Sequence, residues 1–331
     1  MNEKFLNICQ VSLSRDLPIL KKNISQFQNI YKDYLLNFYI ICPKKQKSAF
    51  DKIAKKNIKI ISEESILSLS KFKKIFNKYM RQAGFYKKIQ KRISWYYQQS
   101  LKLTFAFSFL KKNNYIIIWD SDTVLVKKIN FFFKKKSILY CNVNEFFKGY
   151  YYTILKIFNY LPIYFLSSLN QFVAITSKEI LFLEKKLDKF HQKKNLSYSK
   201  WIPEVIAKSV VGAHKNYNGS LFSEYELIGI SNLLFYKSGQ KIFKFLRCKL
   251  TGSLSEFHMK ILRFLNFFHI TYEQSYHKKK INIILKQKQK NLNFFIILIS
   301  YLWKFYFRKI LHIYHNNICS DKNKILKTIY R

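Results

Sequence analysis

Apolar residues near the start of the chain form compact runs that alternate with stretches of helical spacing. The runs are typical of buried strands and the spaced stretches of covering helices, in the order strand 5–13, helix 17–31, strand 36–42, helix 47–55 and strand 58–61. This alternation predicts an α/β fold with a mostly parallel sheet flanked by helices. Right-handed crossovers bring the carboxyl ends of such strands to one edge, where ligands bind.

The later part of the chain continues with longer elements. The better defined ones are a helix over 92–110, strands at Tyr115–Trp119 and 137–142, a helix over Ser177–His191 and two helices within 199–232. The lysine-rich residues 66–90 are ambiguous and fit a helix plus a loop around Gly84, and the part beyond 250 is expected to be mostly helical. No linker or repeat interrupts the pattern, so we expect one domain over 1–275 and a helical appendix over 276–331.

The charge of the chain is strongly positive, with 60 Lys and Arg against 18 Asp and Glu and a formal net charge of +42. Such a field attracts nucleic acid, anionic lipid or phosphorylated small molecules. Lys, Asn, Ile, Phe and Tyr are over-used throughout, however, which favours compositional drift as the origin of most lysines. No RNP, KH or zinc-finger pattern is present, so nucleic-acid binding is kept only as an alternative.

The cysteines and the first residues of the chain indicate the cellular location of the protein. Five scattered cysteines show no CxxC or Cys/His spacing, which argues against a disulfide framework or a zinc knuckle. Residues 1–20 contain several charges and no long apolar stretch, so no signal peptide is expected. We therefore predict a cytoplasmic location.

A stretch near the carboxyl terminus combines apolar and aromatic residues between basic ones. Thirteen uncharged residues, NLNFFIILISYLW, lie between Lys290 and Lys304. They are too few to span a bilayer, which takes about 20 residues. The stretch fits peripheral attachment to the anionic inner face of the cell membrane, and it equally fits a buried core helix.

The most informative motif follows the predicted strand at Tyr115–Trp119. Asp120 and Asp122 stand one residue apart at its carboxyl end, which belongs to the ligand edge of the sheet. Two neighbouring carboxylates repel each other unless a cation lies beside them, and Mg²⁺ or Mn²⁺ takes such oxygen ligands together with phosphate oxygens. The alternative is an ordinary strand end. One of three histidines could complete a metal shell: His214, His258 or His269.

Two further groups of polar residues are candidates for the same site. Trp95, Gln98, Gln99 and Lys102 form one stripe of the helix before the strand, which could serve a nucleotide or diphosphate or simply face water. In the block Ser223-Glu224-Tyr225-Glu226, Ser223 and Glu226 have capping-box spacing. That leaves Glu224 as a general base for an acceptor hydroxyl or as a plain helix-end residue.

These blocks resemble a known family. ISWYYQQSLKL (93–103), IIIWDSDTVLV (116–126) and FSEYELIGI (222–230), with the segments at 11–27 and 61–67, are similar to the signature blocks of a bacterial glycosyltransferase-like family of largely unassigned function. That family resembles the GT-A nucleotide-diphospho-sugar transferases. The resemblance covers roughly residues 5–275 and not the carboxyl-terminal part.

The resemblance implies a Rossmann-like GT-A sheet, a nucleotide-diphospho-sugar donor and a divalent ion, Mn²⁺ or Mg²⁺, held by Asp120 and Asp122. It also implies that Asp120 contacts ribose or metal, that Asp16 lies near the nucleotide, and that Glu224 is the base of an inverting enzyme. The metal-binding histidine of GT-A folds has no clear counterpart here.

From these observations we expect a metal-dependent glycosyltransferase that moves a sugar to a glycan or lipid-linked acceptor in surface polysaccharide synthesis. The alternatives are a basic nucleic-acid-binding protein and a catalytically inactive GT-A-like interaction protein.

Overall fold

A five-stranded sheet organises the molecule, as a computed structural model shows. The structure describes residues 5–82, 90–141, 148–160, 167–168, 170–192, 196–211, 220–236, 242–244, 247–250, 256–264 and 267–272. The sheet has the order β3-β2-β1-β4-β9, with strands β1 (Phe5–Val11), β2 (Leu35–Cys42), β3 (Ile58–Ser62), β4 (Tyr115–Trp119) and β9 (Phe172–Thr176). Strands β1 to β4 pair in parallel and β9 pairs antiparallel with β4. The predicted α/β fold with a mostly parallel sheet is confirmed.

Helices flank this sheet. In the order of the chain, they are α1 (Leu17–Ile30), α2 (Lys47–Asp51), α3 (Glu63–Ile66), α4 (Leu69–Gln82), α5 (Ile93–Leu110), α6 (Lys148–Phe158), α7 (Ser177–His191), α8 (Tyr198–Val210), α9 (Glu224–Tyr236) and α10 (Glu256–Phe264). The predicted helices over 17–31, 92–110 and Ser177–His191, and the two within 199–232, are confirmed. The ambiguous lysine-rich segment contains helix α4.

Short strands complete the described part of the chain. They are β5 (Thr123–Leu125), β6 (Phe132–Phe133), β7 (Lys136–Ser137), β8 (Leu139–Cys141), β10 (Ile242–Lys244), β11 (Arg247–Leu250) and β12 (His269–Tyr272). The expectation of mostly helical structure beyond residue 250 is wrong for β12. This strand pairs antiparallel with β5 and parallel with β11, and these tertiary partners outweigh its weak local signal.

The core lies on both faces of the sheet. Along β4, Ile116 and Ile118 pack on the side of α5 and α8, whereas Ile117 and Trp119 pack on the side of α1. All four side chains are fully buried. A strand buried on both faces reads as a continuous apolar run, which is why the sequence predicts it so clearly.

The predicted appendix, residues 276–331, lies outside the described residues, and so does the apolar stretch at 291–303. The boundary near residue 275 therefore stays a prediction. Within the described ranges, no helix is both long and apolar enough to cross a membrane.

Candidate functional site

The turn after β4 holds the two aspartates in a fixed frame. Trp119 is fully buried, and its Nε1 donates to the carbonyl of Thr123 at 2.8 Å. The amide of Thr123 donates to the Asp120 carbonyl at 3.1 Å, and the amide of Asp120 donates to the Gln171 carbonyl at 2.8 Å. The buried indole and strand β9 thus anchor both sides of the turn, which leaves Asp120 and Asp122 partly exposed at the ligand edge.

Lys102 of α5 reaches this turn from the adjacent helix layer. Its side chain is 3% exposed, and its Nζ donates to Oδ1 of Asp120, to Oε1 of Glu224 at 2.6 Å and to Oη of Tyr225 at 3.1 Å. An ammonium has three N–H donors, so these three acceptors satisfy it completely. Lys102 therefore joins helix α5, the turn after β4 and the first turn of α9.

Tyr225 closes the network from the other side. Its hydroxyl donates to Oδ1 of Asp120 at 2.6 Å, and the Lys102 Nζ lies 4.8 Å from its ring centroid. Burial and the carboxylates of Asp120 and Glu224 raise the pKa of Tyr225 well above its usual value, so its hydroxyl keeps its proton. Sequence reasoning missed Tyr225, since only the fold shows that it faces Asp120.

The charges in this network are fixed by their neighbours. Burial alone would lower the pKa of Lys102, but the carboxylates of Asp120 and Glu224 outweigh it and raise that pKa. Burial raises the pKa of Glu224, and Lys102 opposes the rise. The direction of each pKa shift depends on whether the surroundings favour the charged or the neutral form of the side chain. Lys102 is therefore a permanent cation at neutral pH.

The surroundings of Asp122 are unfavourable for its negative charge. Its pKa is raised to about 7, first by burial and then by the neighbouring Asp120, with Asp16 adding to the effect. A divalent cation would relieve this repulsion, and carboxylate oxygens are the ligands that Mg²⁺ and Mn²⁺ prefer. These two carboxylates therefore suit such an ion, which Asp122 and the second oxygen of Asp120 would hold.

A third protein ligand for that ion is not evident. The described residues contain no group of three or more His, Cys, Asp or Glu side chains that could hold a metal. His269 is fully buried, with its ring 5.9 Å from Trp119 and 5.8 Å from Phe172. His214 and the side chain of His258 lie outside the described part of the chain.

The predicted polar stripe of α5 is more buried than a water-facing surface. Gln99 is 1% exposed, and neither of its amide atoms has a hydrogen-bond partner among the described residues. Trp95 packs against the core, and its buried Nε1 also lacks a partner there. Gln98 is half-buried. Lys102 is the member of the stripe that contacts Asp120, and the alternative that the stripe faces water is wrong for Gln99 and Lys102.

The acidic block at the start of α9 differs from a complete capping box. Ser223 Oγ accepts from the amide of Glu226 at 3.3 Å, as predicted. The Glu226 carboxylate, however, accepts from the Ser167 hydroxyl and from the Ser168 amide at 3.2 Å. Glu226 therefore links α9 to the segment before β9.

Glu224 is buried and ion-paired at the start of α9. Its side chain is 2% exposed, and its Oε1 is paired with Lys102. Its Oε2 is buried without a hydrogen-bond partner among the described residues. This one oxygen could accept a hydrogen bond from a ligand, and a role as base stays a prediction.

Asp16 lies close to this edge of the sheet. It is 8% exposed, and Arg15 Nε lies 3.7 Å from its Oδ1. It also contributes to the raised pKa of Asp122. The structure thus brings five predicted site residues to one corner: Asp16, Lys102, Asp120, Asp122 and Glu224. Within the described ranges, no side-chain hydrogen bond joins Trp95, Gln98 or Gln99 to that group.

Three solved structures with a similar course of the chain are glycosyltransferases. One is the galactosyltransferase LgtC in complex with donor and acceptor sugar analogs, with a TM-score of 0.42 and 11% identity over 81% of this chain and 87% of that one. Another is an active-site mutant of LgtC, with a TM-score of 0.41 and 11% identity over 89% of this chain and 96% of that one. A third is mouse xyloside xylosyltransferase 1 in its apo form, with a TM-score of 0.36 and 8% identity over 82% of this chain and 98% of that one.

Likenesses of this size say nothing about substrates or catalytic residues. No protein-family model and no curated protein matches the sequence.

Proposed function

We propose that this protein is a metal-dependent glycosyltransferase that uses a nucleotide-diphospho-sugar donor. The observation that carries the proposal is the corner where buried Lys102 binds Asp120 Oδ1 while Asp122, two residues further on, is partly exposed in surroundings that disfavour its charge. The corner lies at the carboxyl ends of parallel strands, where α/β sheets bind nucleotides.

Each residue has a distinct part in this proposal. Asp122 and the second oxygen of Asp120 would hold Mn²⁺ or Mg²⁺, and the bound ion would neutralise the negative charge of a leaving diphosphate. Lys102 and Tyr225 fix the Asp120 carboxylate through its Oδ1, so that its other oxygen points in a defined direction. Preorganisation of this kind lowers the free energy of reorganisation when the substrate binds.

Glu224 is the proposed base of an inverting reaction. Its Oε2 is the one carboxylate oxygen of the Lys102 network that is buried and lacks a partner among the described residues. Its raised pKa suits proton transfer near neutral pH, since a general base works best when its pKa lies near the working pH. Lys102 holds the rest of the carboxylate still, so that Oε2 would face an acceptor hydroxyl.

The decisive experiment is isothermal titration of the full chain with a panel of nucleotide-diphospho-sugars, with and without Mn²⁺. We expect one or more donors to bind in a metal-dependent manner, and Asp122→Asn to weaken that binding roughly tenfold or more. The matched control is Asp51→Asn, which changes an exposed aspartate that is paired with Lys47. Metal-independent binding, or equal binding by the Asp122 variant, would contradict the metal site.

The same titration separates the alternatives. A catalytically inactive interaction protein would bind no donor in the presence of Mn²⁺. A nucleic-acid-binding protein would bind generic DNA or RNA with an affinity that falls steeply with salt. If no donor binds, the proposal of an enzyme is replaced by whichever of these two alternatives the titrations support.

The acceptor and the location are proposed from the sequence. We infer a glycan or lipid-linked acceptor in surface polysaccharide synthesis and a cytoplasmic protein attached to the inner face of the membrane through residues 291–303. Deletion of residues 288–331 should move the protein from the membrane pellet to the soluble fraction on centrifugation. An unchanged distribution would rule out this attachment.

A further inference from the structure

A cavity lies at the opposite end of the sheet from Asp120. Its volume is about 760 Å³, and its wall includes Phe5 at the start of β1, Tyr115 at the start of β4 and Thr176 at the end of β9. Tyr115 and Asp120 are five strand positions apart, which corresponds to about 17 Å. A small molecule in this cavity would not touch Asp120 or Asp122.

Aromatic rings form a large part of the wall. They include Phe5, Tyr31, Tyr34, Tyr115, Phe132 and Tyr236. Several are already packed together, since the Tyr115 ring lies 5.2 Å from Phe5 and 4.6 Å from Phe132. The hydroxyls of Tyr31 and Tyr115 donate to the backbone carbonyls of Ile129 and Phe5. These hydroxyls are thus engaged by the protein, and the wall offers ring carbon to a ligand.

Four lysines stand around the same cavity. They are Lys134, Lys135, Lys136 and Lys178, and no aspartate or glutamate is among the described residues that line it. Lys134 to Lys136 are exposed, so their positive charge faces solvent and any ligand. The cavity therefore favours an anion by charge complementarity.

The lysines at the rim occupy an unusual backbone. Lys134 and Lys135 lie in the turn between β6 and β7 with φ of 48° and 64°. Tight hairpin turns with both central residues at positive φ prefer Asn-Gly, because other side chains are strained there. Two adjacent lysines in this conformation place two cations at the mouth of the cavity at a cost in backbone strain.

We propose that this cavity binds a ring compound that carries a phosphate, the chemistry shared by a nucleotide and a sugar phosphate of a glycan. The rings of the wall pack against the face of the ligand ring, and the lysines pair with its phosphate. The volume lies within the range of pockets for single small molecules, which is about 300–1,000 Å³. This proposal does not depend on glycosyl transfer at the Asp120 corner.

The test is isothermal titration of the full chain, without divalent metal, with uridine monophosphate, glucose 1-phosphate, inorganic phosphate and glucose. We expect saturable binding of at least one of the two ring phosphates and weaker binding of inorganic phosphate and glucose. The ring phosphate that binds more tightly shows whether the ligand is a nucleotide or a sugar phosphate. If inorganic phosphate binds as tightly as uridine monophosphate and glucose 1-phosphate, the ring of the ligand contributes nothing to binding. That result would overturn the proposal of a ring compound.

Variants locate the binding. Lys134→Gln with Lys135→Gln should weaken the ring phosphate roughly tenfold, as expected for the loss of two exposed ion pairs. The matched control is Lys55→Gln with Lys56→Gln, an adjacent exposed pair outside the cavity, and it should leave binding unchanged. Unchanged binding by the Lys134 and Lys135 variant, an equal loss in the control variant, or no binding at all would overturn the proposal.

Discussion

The ammonium of Lys102 and the carboxylate of Glu224 form an ion pair of 2.6 Å across 122 positions of sequence. Both side chains are almost completely buried, at 3% and 2% exposure. A buried ion pair is stable only when further hydrogen bonds satisfy the remaining donors, and Asp120 and Tyr225 meet that need for Lys102. The pair therefore connects the helix before β4 to the start of α9, and the same Lys102 ammonium holds the Asp120 carboxylate.

Lys102→Met tests the structural part of this pair. The substitution leaves the Glu224 carboxylate buried without its counter-charge, which is expected to lower the free energy of unfolding by about 3–5 kcal/mol. Urea unfolding monitored by circular dichroism measures the change. The control is Lys52→Met, which removes an exposed lysine and should change stability by less than about 0.5 kcal/mol. Equal stability of the Lys102 variant and the native protein would show that the network contributes nothing to the fold.

Glu224→Gln tests the proposed base. The amide has the same shape but cannot take a proton, so the transfer rate kcat should fall roughly 10²–10⁴-fold while donor affinity stays within about threefold. The measurement compares kcat with the donor dissociation constant from titration. Glu64→Gln, at an exposed glutamate of α3, is the control. A kcat that stays at the native value would exclude Glu224 as the base and leave it as the residue that positions Lys102.

The positions of Asp120 and Lys102 could be predicted because their neighbours have strong local patterns. The run Tyr115–Trp119 is apolar on both faces, and that pattern predicts where the strand ends and the aspartates begin. The 18-residue helix α5 likewise predicts that Lys102 shares a face with Gln99. Local periodicity was sufficient in both cases.

Other features depend on contacts that no local pattern contains. The Glu226 carboxylate was expected to complete a capping box, but it accepts from Ser167 and Ser168, which lie 59 and 58 positions away. Strand β12 has only four residues, and its pairing with β5 and β11 is tertiary. Residue spacing determines neither the hydrogen-bond partners of Glu226 nor the pairing of β12, because partners from distant segments of the chain determine both.

Glu226→Gln tests a pH dependence of stability. Burial raises the pKa of Glu226 to about 7 from its ordinary value of 4.5, and the hydrogen bonds from Ser167 and Ser168 oppose the rise. Between these values the folded protein keeps a proton that the unfolded chain has lost, so the free energy of unfolding falls as pH rises. The contribution is fully present below pH 4.5 and is lost through pH 7, by about 3 kcal/mol at most.

The glutamine variant has no such proton to lose. Relative to the native protein, it should therefore gain stability between about pH 5 and pH 8, as measured by urea unfolding at both values. Asp122 and Glu224 are the same in the two proteins, so their titration cancels in the difference. A difference in stability that is the same at both pH values would contradict the raised pKa of Glu226.

Gly229→Ala tests how closely α9 packs against the segment before β9. A Cβ atom at this position would lie 2.1 Å from Ser168 Oγ and 2.7 Å from Ser168 Cβ, so one of the two chain segments has to move. The clash is expected to lower the free energy of unfolding by about 1–3 kcal/mol, although alanine is the better helix former. Ser168→Gly removes both clashing atoms, so adding it to the Gly229 variant should restore most of the loss in a double-mutant cycle. If the two substitutions were additive, the contact between Gly229 and Ser168 would not limit the packing of α9.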